Sequence, residues 1–184
     1  MASGESDQVE VDVLPIRTEF VLPSATLRLI HERTTGDGGR TGPGLLITEE
    51  AGDPNTLTTL EISLQDRTQT VYFLWDWERH DPGFSMLFVP ETSVLFAGAG
   101  TFSVVIDIRD ARLIRRNYVD LFWGFQHTPR SILELGECDC SLYRRNGELL
   151  GTVPVDPPYE VVVGDHCVEI ATTLFGVQRL PFPS

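Results

Sequence analysis

Apolar and polar positions alternate along most of this chain with a period of two, in runs of four to eight residues bounded by glycine, proline, aspartate or asparagine. Thr26-Leu-Arg-Leu-Ile-His31, Leu60-Glu-Ile-Ser-Leu64 and Phe102-Ser-Val-Val-Ile-Asp-Ile108 show the pattern. Side chains on a strand point alternately to opposite faces, so such runs predict half-buried β-strands. The predicted strands are Val9–Leu14, Thr18–Leu22, Thr26–His31, Leu45–Thr48, Leu57–Leu64 and Gln69–Trp75, followed by Ser85–Val89, Val94–Phe96, Thr101–Ile108, Arg112–Tyr118, Leu121–Phe125 and Ser131–Leu135. Cys138–Tyr143, Glu148–Val153, Glu160–Val163, Cys167–Thr172 and Val177–Leu180 complete the series. Only Pro54–Leu64 offers a helical spacing, through Leu57, Leu60 and Leu64. Its β-branched Thr56, Thr58, Thr59 and Ile62 argue for a strand instead.

Two stretches fall outside the pattern. Thr34–Gly44 (TTGDGGRTGPG) holds five glycines and a proline and reads as a mobile surface loop. It is not a phosphate cradle, which needs a helix N-terminus behind it. The first eight residues, MASGESDQ, are polar and read as a flexible N-terminus, leaving residues 9–184 as a single all-β domain.

A weak internal repeat relates residues 94–125 to 132–163. Val94-Leu-Phe-Ala-Gly98 aligns with Ile132-Leu-Glu-Leu-Gly136 at a spacing of 38, and Phe102-Ser-Val-Val-Ile106 with Cys138-Asp-Cys-Ser-Leu142 at 36. Asp110 then faces Asn146, and Leu113-Ile114 face Leu149-Leu150. Each copy is a strand, a Gly-centred turn, a second strand, an Asp or Asn turn and a third strand, an antiparallel meander. In the segments LFAGAGTFSVVIDIRDARLI and LYRRNGELL, the region 93–163 resembles single blades of quinoprotein-like or WD-type β-propellers. A propeller takes about 4–8 blades of roughly 40 residues, whereas two copies are legible here. The fold class expected is therefore an antiparallel β-sandwich or open barrel built from repeated meanders, with no function carried over from the resemblance.

Composition narrows the function. Among 184 residues, 27 acids against 14 bases give a net charge of −13, which disfavours binding to a nucleic-acid backbone and favours association with basic partners. All 14 bases are arginine. That removes the P-loop lysine, the pyridoxal-phosphate Schiff base and Ser–Lys dyads, and the expected cause is the codon bias of a GC-rich, bacterial genome. No apolar run approaches the ~18 residues of a membrane span, and the N-terminus lacks a signal peptide's basic and apolar regions, so a soluble, cytoplasmic protein is expected. An odd count of three cysteines fits a reducing compartment.

The cysteines Cys138, Cys140 and Cys167, with His166, raise the possibility of a structural zinc. In the repeat, however, Cys138 and Cys140 take the places of Phe102 and Val104, so both are expected in the core, free of metal. The same register puts Glu137, Asp139 and Ser141 on the opposite, solvated face, with Thr101, Ser103 and Asp107 in that role in the first copy. Glu137 and Asp139, with Asp107 across from them, form one candidate binding patch; paired carboxylates on one strand face also permit hydrolysis geometrically. The second patch is Trp77, Glu78, Arg79, His80 and Asp81, which follow Trp75-Asp76. Aromatic platforms beside acids and arginine suit sugar or peptide recognition, with Trp77 as an anchor; the plainer reading is that Trp75 and Trp77 share a face and pack inward. Leu121–His127 reads as a fully buried strand. No G-x-S-x-G, H-E-x-x-H or H-x-E…P-C-x-x-C motif is present, and no cofactor is implied. The expected function is a non-catalytic interaction protein whose acidic surface docks on a basic partner, as an immunity protein or adaptor does. The alternative is a small-ligand or carbohydrate-binding module, or a hydrolase, using the Trp77–His80 region.

Overall fold

The computed structural model describes residues 16–22, 25–34, 43–50, 54–64, 66–76 and 83–183. Among them are sixteen strands and no helix. The first sheet contains β1 (Ile16–Val21), β2 (Thr26–Arg33), β3 (Leu45–Thr48), β4 (Thr56–Ser63) and β5 (Thr68–Trp75), in the order β1-β2-β4-β5-β3. All its pairs are antiparallel except β3 with β5. The second sheet is the meander β6 (Ser85–Val89), β7 (Val94–Ala99), β8 (Phe102–Asp107) and β9 (Arg112–Tyr118). The third repeats it as β10 (Phe122–His127), β11 (Ser131–Gly136), β12 (Asp139–Arg144) and β13 (Leu149–Pro154). The fourth is the three-stranded meander β14 (Glu160–Val163), β15 (Cys167–Thr172) and β16 (Gly176–Pro181). No sheet closes into a barrel, so of the two architectures expected the sandwich is the one that forms.

The sheets pack face to face in chain order, with one apolar cluster between each successive pair. Leu27, Leu60, Ile62, Val71, Phe73 and Trp75 of the first sheet meet Leu95, Ala97, Phe102, Val104 and Ile106 of the second. The second sheet's other face, with Val94, Phe96 and Val105, meets Ile132 and Tyr143 of the third. Leu133, Cys140 and Leu142 on the reverse of the third meet Val168, Ile170 and Leu180 of the fourth. The two middle sheets are thus covered on both faces. This explains why β7, VLFAGA, reads as a continuous apolar run and is buried at every position. Close approach is helped by Gly98, where an added Cβ would fall 2.8 Å from the Phe122 ring that packs over it.

Double coverage corrects one expectation. The face carrying Ser103 and Asp107 does alternate with the Phe102/Val104 face, but it is not solvated: Ser103 is buried against Glu134 of the third sheet, and Asp107 is buried beside Arg109 and Arg112. Leu121–His127 is likewise not buried throughout. Phe122 is buried, Trp123 is half-buried and stacks on Tyr159 at 5.2 Å, and Gln126 and His127 are exposed. The predicted strand Val9–Leu14 and most of the Gly-rich loop (residues 35–42) lie outside the described residues.

Candidate functional site

Pairing across the third sheet brings Glu134 of β11 opposite Ser141 of β12, and Ser141 opposite Thr152 of β13. Asp139 and Tyr143 lie two residues to either side of Ser141, so all five share the face that looks toward the second sheet. There β8 and β9 present Ser103 and Asn117, themselves a cross-strand pair. The Ser103 hydroxyl donates to Glu134 Oε2 at 2.8 Å and the Tyr143 hydroxyl to the same oxygen at 2.9 Å. Asn117 Nδ2 donates to Ser103 Oγ at 2.9 Å and also reaches Tyr143 Oη. The other carboxylate oxygen, Glu134 Oε1, is buried with no hydrogen-bond partner.

A buried carboxylate oxygen without a donor is unusual, because desolvating a charge costs far more than desolvating a neutral group. Burial accordingly pushes the Glu134 carboxyl up to about 7, against the hydrogen bonds from Ser103 and Tyr143 that favour its charged form. The network lines one side of a pocket of about 220 Å³ between the two middle sheets, completed by Tyr118, Val119, Asp139, Leu149 and Thr152. A larger groove of about 850 Å³ crosses the outer face of the first sheet beside Glu32, Thr59, Glu61 and Tyr72. Unlike the smaller pocket, it carries no orphaned buried oxygen among the described residues.

Acidic side chains gather at the pocket's mouth. Burial and the neighbouring Asp120 raise the Asp139 carboxyl, and Asp139 in turn raises Glu134. Among the described residues Asp120, Glu134, Glu137 and Asp139 form no ion pair, whereas Glu50, Glu61, Glu91, Glu148 and Glu169 are each matched to an arginine. The negative charge at this end of the third sheet is therefore uncompensated.

The predicted site residues distribute as follows. Asp139 lines the pocket and Glu137 lies half-buried in the turn beside it. Asp107 does not join them: it stands at the other end of β8 from Ser103, buried, and is gripped by Arg109 and Arg112. The Arg109 guanidinium holds its carboxyl below the usual range. Trp77, Glu78, Arg79, His80 and Asp81 lie outside the described residues. Trp75, which leads toward them, is fully buried and donates its indole N–H to Thr58 Oγ1 at 2.8 Å.

Of the two cysteines expected in the core, Cys140 is there and Cys138 is exposed. Its counterpart Phe102 opens β8, but β12 begins one residue later, leaving Cys138 in the turn with nothing over it. Asp120 beside the thiol raises its pKa, together with burial and the nearby Glu137 and Asp139. Among the described residues no cluster of three or more His, Cys, Asp or Glu could hold a metal ion. In native protein, a chromogenic disulfide reagent is expected to modify Cys138 slowly and Cys140 only after unfolding. Asp120→Asn removes the neighbouring negative charge and should accelerate the Cys138 reaction several-fold at pH 8, because the thiolate is the nucleophile. Equal rates in the two proteins would show that Asp120 does not control the thiol.

The residue that organises this site, Glu134, was not among the sequence candidates. In the repeat it occupies the place of Phe96, a fully buried core aromatic. A carboxylate substituted for a core phenylalanine was the available signal. No protein-family model matches this chain, and no curated protein matches it.

Proposed function

We propose that this chain is a non-catalytic interaction protein that docks on a basic protein partner, in the manner of an immunity protein or adaptor, through the acidic end of its third sheet. One observation carries this reading: Asp120, Glu134, Glu137 and Asp139 gather at one end of the third sheet, and among the described residues none of them is ion-paired to an arginine. Unpaired acids at a rim steer a basic partner into place and act mainly on the association rate. The net charge of −13 extends the same field over the whole chain.

The test is affinity capture from the source cells with wild-type protein and with the Asp120→Asn, Glu137→Gln, Asp139→Asn variant. The expected result is one basic protein held stoichiometrically by the wild type. Its association rate should drop about ten-fold in the variant and fall steeply above ~0.1 M salt, where the screening length shrinks to about 10 Å. Identical capture and identical salt dependence for the two proteins would overturn the proposal. Retention of a sugar or metabolite in place of a protein would favour a ligand-binding module instead.

A further inference from the structure

We infer that the pocket between the two middle sheets is a receptor for a single organic cation, an ammonium or guanidinium group, held between Glu134 and Asp139. Three features specify that class. The pocket is walled by two carboxylates, by the hydroxyls of Ser141 and Thr152 and by the amide of Asn117, with no cationic side chain in its lining. One of its lining residues, Glu134, has a buried oxygen, Oε1, that lacks a donor, while Oε2 is already engaged by Ser103 and Tyr143. An N–H of the cation supplies the missing donor and a counter-charge together, the arrangement that makes a buried carboxylate tolerable. A volume of about 220 Å³ exceeds one water several-fold and suits the end of a lysine or arginine side chain.

The bearer of the cation rests on the docking proposal: it is a lysine or arginine of the basic partner. The cation site itself rests on the pocket alone, so the two can fail separately. The charged or titratable groups facing Glu134 are Tyr143 and Asp139 from β12, while β8 and β9 present the neutral Ser103 and Asn117. Arg115, on the same side of β9 as Asn117, is exposed and does not line the pocket. A bound cation holds Glu134 ionised, so binding should strengthen from pH 6 to pH 8 and release a proton.

The experiment is a titration of the wild-type chain with methylguanidinium and with methylammonium, followed by amide NMR shifts. Saturable shifts at Asn117, Asp139, Ser141 and Thr152 are expected, with a dissociation constant in the millimolar range that rises about ten-fold or more in Glu134→Gln. Thr152→Phe, on the exposed edge of the pocket, should abolish the shifts by filling the space while leaving both carboxylates and the dispersed spectrum intact. Binding that survives both variants would overturn the inference, as would preference for calcium or magnesium over the organic cations. Absence of any saturable shift would also overturn it. In that last case, stoichiometric capture of a basic protein would leave the docking proposal standing.

Discussion

Raising the pH from 5 to 8 is expected to strip about 2 to 3 kcal/mol from the stability of the fold through one side chain, Glu134. In the unfolded chain this carboxyl titrates near 4.5; in the folded protein it titrates near 7. The folded state therefore binds the proton more tightly. The contribution is fully present below pH 4.5 and is lost as the pH rises through 7. Asp139, also raised by burial, acts in the same direction. His31 acts in the opposite one: burial lowers its pKa, so its protonation opposes folding and its contribution improves as the pH rises through 6.5. Asp107, lowered by Arg109, matters only in stronger acid. Urea unfolding of wild type and Glu134→Gln isolates Glu134 from the other groups. The variant keeps an acceptor for Ser103 and Tyr143 and cannot ionise, so it should exceed the wild type in stability at pH 8 and approach it at pH 5. Parallel pH profiles for the two proteins would show that Glu134 is ionised in the fold at neutral pH at no cost.

Much of the architecture was legible because an antiparallel strand writes its two faces into alternate positions. Arg112–Tyr118, Cys167–Thr172 and Glu160–Val163 have the bounds read from the sequence, and the repeat at 94–125 and 132–163 contains the last three strands of two successive four-stranded meanders. What alternation cannot say is what lies across from a polar face. Ser103 looks solvated in isolation; it is buried because another sheet covers it, through a contact with Glu134, 31 positions away in sequence. The clue was β7, apolar on both faces, which already implied covers on both sides of the second sheet. Asp139 was found through its chemistry. Glu134 was missed because SILELG reads as a strand with one charged position, and only comparison with Phe96 shows that position to be internal.

The junction of the first two sheets carries the other large expected effect. Glu49 follows β3 and is buried, yet it is an acceptor rather than an orphan. Its Oε2 accepts the backbone N–H of Asp76 at 2.9 Å, and its Oε1 accepts both the backbone N–H and the hydroxyl of Thr101, at 3.0 and 2.9 Å. One carboxylate thus ties the end of β5 to the turn between β7 and β8, fixing the second sheet against the first where the chain leaves toward Trp77. Deleting it leaves main-chain donors that no water readily reaches, and each such loss costs about 1–3 kcal/mol. Glu49→Ala is therefore expected to destabilise the protein by about 3 kcal/mol or more in chemical denaturation. Glu49→Gln retains one acceptor oxygen and should lose less than half of that. Thr101→Val removes the hydroxyl donor alone and should cost about 1 kcal/mol. If Glu49→Ala unfolds at the same denaturant concentration as the wild type, this carboxylate does not hold the two sheets together, and the apolar cluster of Phe73, Trp75 and Phe102 suffices to do so.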